Sequence, residues 1–206
     1  MNKKFLGFFL FLSILLSNNV YSQINTDRPD QTESSLVLNE GHLQIETGIS
    51  IEKKKSNINS LFRLGIIDGV ELRINSNYLM DDQISKLKNS SFTDFEIGAK
   101  FRIQDNIDKK TKIGFLTHIS IPTAPEVFSE KEYGFLNRLL VSHEINETDQ
   151  LGYNIGYNKF KNYREFIYTI AYSKGFNSFG MFLELFGKES KDKIAKTDIS
   201  LINFDS

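Results

Sequence analysis

The sequence contains no cysteine and no tryptophan, and it has only three prolines and three histidines. Without cysteine, the chain has no disulfide framework, no thiolate metal site and no catalytic thiol. Acidic and basic residues nearly balance, at 26 against 25, so the sequence shows no basic surface of the kind that binds nucleic acid. Stability must therefore come from backbone pairing and burial, and we expect no nucleic-acid partner.

A long apolar run occurs at the N-terminus. Lys3 and Lys4 precede the stretch from Phe5 to Leu16, and a short polar segment then ends in Val20-Tyr21-Ser22. A positive start, an apolar core and small residues at the cut define a secretory signal peptide. The run is shorter than the ~20 residues that a spanning helix needs. We therefore predict that residues 1–22 are a signal peptide cleaved before Gln23, which leaves 23 basic against 26 acidic residues.

Aromatic residues, by contrast, are abundant, with 18 Phe and 8 Tyr. From Gly41 onward they fall in segments of roughly ten to thirteen residues that alternate apolar and polar positions and end at turn-forming residues. The clearest segment is Leu151 to Lys159. Strands of soluble sandwiches are usually about 5 or 6 residues long, whereas a strand tilted across a bilayer needs ~9 to 11. We predict an all-β fold, a transmembrane up-and-down antiparallel β-barrel of about 10 to 12 strands over residues 42–206.

The links between these segments alternate in length. Tight links occur at Asp68-Gly69, around Asp105 to Lys110, at Glu147 to Asp149 and near Phe176 to Ser178; longer or more charged links span residues 80–91, 123–134 and 188–196. Outer-membrane barrels have short periplasmic turns and longer outer loops, so this alternation favours such a barrel in a diderm, Gram-negative bacterium. Short hairpins also occur in ordinary all-β domains. A soluble or surface-attached β-protein with a binding or structural role therefore remains the alternative.

The hairpin around Gly69 allows two registers. A two-residue turn at Asp68-Gly69 would put Arg63 on the lipid side, at a cost on the order of 2 to 4 kcal/mol for a charge at the midplane. A three-residue loop with Gly69 in the left-handed conformation pairs Ile66 with Val70 instead. Arg63 then lies on the inner face. We predict the second register.

Charged residues of both signs fall opposite the apolar positions of their strands, and we predict that they line the barrel interior. These lumen candidates are Glu46, Arg63, Glu71, Arg73, Glu96, Lys100, Arg102 and Arg138, with Glu144 in the same position on its strand. They allow two interpretations: a polar, selective lumen, or an electrostatic plug of mixed-sign pairs in a narrow barrel. On the outer face we expect the rings of Tyr153, Tyr157, Tyr168 and Tyr172.

A motif precedes the first predicted strand. It reads Thr26-Asp27-Arg28-Pro29-Asp30-Gln31-Thr32-Glu33-Ser34 and is followed by Gly41-His42-Leu43-Gln44-Ile45-Glu46-Thr47-Gly48. This opening resembles the outer-membrane transporter family named for the meta-pathway of phenol degradation, in which a Thr-Asp-Arg-Pro-Asp type motif precedes the first barrel strand. The resemblance implies a transporter or channel for small compounds, including hydrophobic or aromatic ones, and carries no catalytic residues. The chain ends at Ser206 without the usual terminal aromatic residue, so we expect an incomplete barrel.

Residues 23–41 form a lead-in segment that we interpret as a periplasmic plug or latch. Its candidate residues are Thr26, Asp27, Arg28, Pro29, Asp30 and Glu33. Pro29 stiffens the backbone, and we expect Arg28 to pair with a wall carboxylate such as Glu46. A metal site built from Asp27, Asp30 and Glu33 lacks the glycine of a calcium-binding loop. We therefore expect no metal and no cofactor.

Catalytic patterns are missing from the sequence. His42, His118 and His143 have no evident nucleophile partner, and there is no Gly-x-Ser-x-Gly elbow, His-Glu-x-x-His helix or phosphate loop. An outer-membrane hydrolase with a triad assembled from distant strands is the less favoured alternative. We expect a protein that is not an enzyme, whose partners are outer-membrane lipid and an unidentified small solute.

Overall fold

The computed structural model describes residues 31–84, 89–106, 110–176 and 180–191, together with the backbone of 199–201. The predicted signal peptide and the first part of the motif, from Thr26 to Asp30, lie outside these ranges. The described residues form eleven strands and a short 3-10 helix at Glu126–Phe128. The strands are β1 (Leu43–Ile51), β2 (Lys55–Ile67), β3 (Val70–Asp81), β4 (Ser90–Phe92), β5 (Phe95–Asn106), β6 (Thr111–Ile121), β7 (Gly134–Glu144), β8 (Asp149–Lys159), β9 (Arg164–Gly175), β10 (Gly180–Lys191) and β11 (Ile199–Leu201).

The strands form a single antiparallel sheet that follows the chain. Neighbours pair in the order β1, β2, β3, β5, β6, β7, β8, β9, β10 and β11, and the short β4 pairs with β3. The sheet curls strongly into a half-barrel. No helix among the described residues is long and apolar enough to cross a membrane. The predicted all-β, up-and-down antiparallel fold is confirmed, and the strand number falls within the predicted range.

The two ends of the sheet differ in their links. One end, which we call the turn rim, carries the links after β2, β5, β7 and β9, and the opposite end, the loop rim, carries the others. The tight links predicted from the sequence all belong to the turn rim. The loop rim holds the long links 82–94 and 122–133, but its links 52–54 and 160–163 are as short as turns. The lead-in segment reaches β1 at the turn rim.

The two faces of the curled sheet have opposite polarity. On the convex face large apolar side chains are exposed, such as Phe62, Ile97, Leu139 and Ile170. On the concave face the buried side chains include many polar and charged ones: Glu46, Asn59, Arg63, Glu71, Arg73, Asn75, Lys100, His118, Ser120, Asn154, Asn158, Thr169 and Glu184. Charged residues are almost never fully buried unless they are paired, so these side chains need partners on the concave face.

The hairpin at Gly69 corrects part of the sequence prediction. Gly69 has the predicted left-handed conformation, with a φ of 77°. The turn nevertheless pairs Ile67 with Val70, and an irregularity at Ile66 then restores the pairing of Gly65 with Glu71. The predicted pairing of Ile66 with Val70 is therefore wrong. The extra residue shifts the strand by one position, which is how β-bulges change register, and the inward position predicted for Arg63 follows all the same.

The tyrosines of β8 and β9 follow the predicted outward pattern. Tyr157, Tyr168 and Tyr172 are exposed on the convex face. Tyr153 has the same strand parity but is partly covered, since its hydroxyl lies 3.2 Å from Nε2 of His143. The ring of Tyr168 lies over Gly187, where a Cβ atom would come within 2.5 Å of the tyrosine oxygen. Because Gly187 has no side chain, the Tyr168 ring can pack over β10 on the convex face.

Candidate functional site

Arg63 lies at the centre of a buried ion-pair network on the concave face. Its Nη1 donates to Oε1 of Glu46 at 2.8 Å, while Nε and Nη2 donate to the two oxygens of Glu71 at 2.7 and 2.9 Å. β1, β2 and β3 therefore each contribute one charged group, and each of the three side chains is more than nine-tenths buried. Two parallel bonds from an arginine to one carboxylate fix both position and orientation. Arg63 thus fixes the positions of the Glu46 and Glu71 carboxylates on the concave face.

Glu33 of the lead-in segment joins two distant strands. Its Oε2 lies 2.9 Å from Nη2 of Arg73 on β3, and its Oε1 lies 3.3 Å from Nη1 of Arg138 on β7. Glu33 is itself buried. β3 and β7 are separated by β5 and β6 in the sheet. The Glu33 carboxylate therefore connects two strands that are not neighbours. We call Glu33, Glu46, Arg63, Glu71, Arg73, Lys100 and Arg138 the ionic cluster.

The ionic cluster also binds the backbone of the lead-in segment. Lys100 donates from Nζ to the carbonyl oxygens of Ser34 and Leu36, at 2.9 and 3.4 Å. The backbone N–H of Leu38 donates to Oε2 of Glu71 at 2.9 Å. Backbone groups buried without partners are costly, and here charged wall residues satisfy them. The extended segment is held without forming a strand of the sheet.

Glycines on the wall allow the segment to approach closely. A Cβ atom at Gly65 would lie 2.0 Å from the carbonyl oxygen of Asn39, and one at Gly114 would lie 2.9 Å from the carbonyl oxygen of Ser35. Beside this second contact, Oγ of Ser35 donates to Oγ of Ser142 at 2.9 Å. A larger residue at either glycine would displace backbone, so these positions fix the path of the segment.

The other end of the described segment is bound by Glu184 of β10. The backbone N–H groups of Gln31 and Thr32 donate to its two carboxylate oxygens, at 3.2 and 2.5 Å. The carbonyl of Gln31 accepts from Nη1 of Arg138 at 3.4 Å. The segment therefore crosses the concave face from β10 at residue 31 to β2 at residue 39.

The structure brings most of the predicted lumen residues together. Glu46, Arg63, Glu71, Arg73, Lys100 and Arg138 all belong to the ionic cluster. Glu96 lies outside it, where its Oε2 accepts from Asn75 at 2.9 Å and is 3.8 Å from Nδ1 of His118. Arg102 pairs with Asp68, and Glu144 with Lys112, both near the turn rim. These three predicted residues do not contact the lead-in segment through any ion pair of the described chain.

The motif residues are only partly covered by the structure. Thr26, Asp27, Arg28, Pro29 and Asp30 lie outside the described residues, so the expected pairing of Arg28 with Glu46 stays a prediction. Glu46 itself binds Arg63. Among the motif candidates Glu33 is described, and its two arginine contacts place it on the interior wall.

Two groups of inward residues were missed by the sequence analysis. Glu184 alternates with the exposed residues Leu183 and Leu185, so the same period-two rule that identified the other wall charges would have found it. An amide ladder on β2 and β3 was also missed, in which Asn59 donates to Oδ1 of Asn75 at 2.9 Å. Asparagine at these inward positions carries no charge and gave no comparable signal.

A cavity of about 310 Å³ lies at the turn rim between the lead-in segment and the wall. Thr32, Glu33 and Ser34 form one side, small residues of β8 and β9 such as Gly152 and Ala171 form another, and the paired charges of Lys112 and Glu144 lie at its edge on β6 and β7. This volume lies at the lower end of the range for small-molecule sites, which is roughly 300 to 1,000 Å³. The segment thus fills one part of the concave face and leaves space beside β8 and β9.

A folded link covers the loop rim. Asp94 accepts from the N–H of Ala124 at 3.0 Å, and from Oγ of Ser129 and the N–H of Glu130 at 2.9 Å each. These bonds hold the link 122–133 against the start of β5. Below it lies a second cavity of about 340 Å³, whose lining includes Phe128.

Two stacked rings form part of the same loop-rim cavity. Phe160 and Tyr163 stack with centroids 4.5 Å apart and nearly parallel planes. Burial, reinforced by the nearby carboxylates of Glu130 and Glu165, raises the pKa of Tyr163 well above its usual value. The phenol is therefore kept neutral and donates to Glu130. At the start of the 3-10 helix, the hydrogen bond from Lys131 lowers the pKa of the exposed Glu126.

His118 and His143 each contact a neighbouring strand of the sheet. His118 lies over Gly98, where a Cβ atom would meet its ring at 1.9 Å. His143 lies between the hydroxyl groups of Thr111 and Tyr153, at 2.9 and 3.2 Å. No group of three or more His, Asp or Glu side chains among the described residues is arranged to hold a metal ion.

A curled antiparallel sheet with an exposed apolar convex face and a buried ionic concave face defines a barrel-like all-β protein. The family model described as "Putative MetA-pathway of phenol degradation" matches residues 26–200. The chain belongs to this family, and the resemblance drawn from its N-terminal motif is confirmed. No curated protein and no solved structure matches the chain.

Proposed function

We propose that this protein is an outer-membrane β-barrel that passes small molecules, and that its lead-in segment filters what passes. The observation that carries the proposal is the inverted polarity of the sheet. Apolar side chains are exposed on the convex face along strands of 9 to 13 residues. Such lengths suit a bilayer crossing, and lipid is the environment in which an exposed apolar band is stable.

The lead-in segment accounts for the chemistry of the concave face. Its buried contacts with Glu71, Lys100 and Glu184 use side chains that would otherwise face the lumen. A segment held by charge-assisted bonds, with a cavity beside it, narrows a passage without filling it completely. This combines the two interpretations of the lumen charges, because the plug is bound by the same groups that make the lumen polar.

Transport fits the described residues better than catalysis does. The charged side chains of the ionic cluster are engaged with one another and with the segment, and the cluster contains neither histidine nor a nucleophile paired with a base. We therefore propose a protein that is not an enzyme and whose partners are outer-membrane lipid and a small solute. A soluble or surface-attached β-protein is the competing function.

Fractionation and conductance test this proposal. The full-length protein should remain with outer membranes during extraction without detergent and should migrate differently on gels after heating. In planar bilayers, Glu33→Gln should raise mean conductance over the wild type. If the substitution weakens segment binding by ~1.4 kcal/mol, the released fraction rises about tenfold.

The matched control is Glu189→Gln, which makes the same change on an exposed residue of β10. It should leave conductance unchanged. Release of the protein by detergent-free extraction would support the soluble alternative instead. Equal conductance of Glu33→Gln and wild type, with normal assembly, would remove the filter role of the segment.

A further inference from the structure

Two chemically identical pairs of residues lie on opposite faces of the sheet. Thr117 on β6 faces Asn137 on β7, with the parity of the convex face, and Asn154 on β8 faces Thr169 on β9, with the parity of the concave face. In the convex pair, Oγ1 of Thr117 donates to Oδ1 of Asn137 at 2.9 Å. The residue types therefore bond readily to each other across neighbouring strands of this sheet.

The concave pair behaves differently. Both amide atoms of Asn154 and the hydroxyl of Thr169 lack a hydrogen-bond partner among the described residues. These side chains are 2% and 4% exposed, so bulk solvent does not satisfy them. Buried polar groups in native proteins are bonded to protein, ordered water or ligand. The pair therefore offers the two N–H groups of Asn154 and the O–H group of Thr169 as donors, and the two side-chain oxygens as acceptors, to a ligand in the interior.

Further polar groups near this pair lack partners, and the wall has few large side chains. Oδ1 of Asn158 on β8 and Oγ1 of Thr32 in the lead-in segment have no hydrogen-bond partner within the described ranges. Gly152 and Gly156 on β8 and Ala171 on β9 project little or nothing into the interior. The cavity of about 310 Å³ opens against Thr32, Gly152 and Ala171, so this neutral wall begins at a space large enough for a small solute.

The nearby charged groups of this wall are already engaged. Glu165 accepts from Nδ2 of Asn158 at 3.1 Å and from Ser190 at 3.4 Å, and Nζ of Lys188 lies 3.7 Å away. Glu184 binds the N–H groups of the lead-in segment. Arg138, which lies beside Gly156 on the neighbouring strand β7, is bound to Glu33 and to the carbonyl of Gln31. A charged solute on this path would lose water and find the neighbouring charges already paired, which is unfavourable. An uncharged solute with hydroxyl or amide groups would exchange its water bonds for those of Asn154 and Thr169.

We propose that the concave wall of β8 and β9 is the path for small uncharged, hydrogen-bonding solutes of the polyol and urea class. The path runs from the turn-rim cavity past Asn154 and Thr169 towards Asn158, beside the bound lead-in segment. This inference rests on the proposed channel function and specifies its solute class. The inference also gives two parts of the wall different roles. The ionic cluster binds the lead-in segment, and β8 and β9 form the path for the solute.

Osmotic swelling of vesicles tests the path. Full-length protein is reconstituted into phosphatidylcholine vesicles, and uptake of glycerol and of urea is compared with that of potassium chloride. The double variant Asn154→Leu, Thr169→Val should lose about tenfold in glycerol uptake, the size expected for lost hydrogen bonds at the barrier. The matched control Asn137→Leu, Thr117→Val, which makes identical changes on the convex face, should stay within about twofold of wild type.

The outcomes separate this inference from the channel function. Wild-type uptake of glycerol by the double variant overturns the path and leaves the channel intact. Wild-type vesicles that pass potassium chloride but exclude glycerol and urea overturn the solute class alone, and vesicles closed to all three overturn the channel function. If Asn154→Leu fails to assemble on heat-modifiability gels, the nearly isosteric Thr169→Val carries the test, and an unchanged rate overturns the proposal.

Discussion

Two parts of the sheet share an apolar convex face but differ in the charge of their concave faces. β2, β3 and β5 place Arg63, Glu71, Arg73 and Lys100 inward, whereas β8 and β9 place mainly glycine, asparagine, threonine and alanine there. The convex faces of both halves are apolar and exposed. The two halves therefore share an apolar convex face and differ on the concave face.

The charged half of the wall is better explained by its binding of the lead-in segment than by any stability gained from its ion pairs. Burying ion pairs costs desolvation that mutual attraction barely repays, so such a cluster is weak evidence of added stability. Here the cluster satisfies backbone groups of a segment that crosses the concave face. Replacing the whole cluster with apolar residues would leave that segment without partners.

Breaking the charged half should produce the largest effect. Arg63→Leu removes the cation that binds Glu46 and Glu71, two carboxylates that are almost fully buried. Removing one partner of a buried pair typically costs about 3–5 kcal/mol. We expect a loss of this size in the free energy of unfolding, measured by urea titration of the refolded barrel in lipid.

The control for Arg63→Leu is Arg164→Leu, at the exposed start of β9. It should change the free energy of unfolding by less than ~0.5 kcal/mol, as surface substitutions do. Similar losses in the two variants would mean that the ionic cluster has no special role in the fold.

A second comparison uses one glycine from each half. Gly65→Ala places a Cβ atom 2.0 Å from the carbonyl of Asn39, whereas Gly152→Ala has nothing nearer than 3.5 Å, at Cγ2 of Thr32. Overpacking typically costs about 1–3 kcal/mol. We expect Gly65→Ala to displace residues 38–39 and to speed proteolysis of the lead-in segment in detergent micelles. Gly152→Ala should behave like wild type, and equal proteolysis rates would argue against close packing at Gly65.

Sequence patterns predicted the charged half well because period two is a local property. Arg63, Arg73 and Lys100 alternate with apolar neighbours, so their face could be assigned strand by strand. The bulge at Ile66 was not predicted, since it depends on how the twisted hairpin closes. The hydrogen bonds that Glu184 accepts from Gln31 and Thr32 join residues more than 150 positions apart, and no local pattern encodes them. The side-chain amide of Asn154 lacks a hydrogen-bond partner among the described residues. A sequence does not show which side chains will surround such a group, so this feature could not be predicted.

The neutral half ends at the loop rim in a group with a distinct pH response. Burial, then the carboxylates of Glu130 and Glu165, raise the pKa of Tyr163 above its ordinary value of 10.0. The folded state favours the neutral phenol, so this contribution to stability is complete below pH 10 and is lost as the pH rises further. In Tyr163→Phe the loss of stability above pH 10 should be smaller than in wild type, as followed by urea unfolding at each pH. Parallel curves would show that Tyr163 does not contribute.

The smallest effect is expected from locking the segment to the wall. The hydroxyl oxygens of Ser35 and Ser142 lie 2.9 Å apart, so Ser35→Cys with Ser142→Cys brings two sulfur atoms within reach of a disulfide. The chain has no other cysteine, so one bond is formed. If solutes pass along β8 and β9 beside a stationary segment, oxidation should change glycerol uptake by less than about twofold. It should also suppress the extra conductance of Glu33→Gln.

The single variant Ser35→Cys under the same oxidant is the control for this disulfide. Loss of glycerol uptake on oxidation, restored by reductant, would show that the segment must move for solutes to pass.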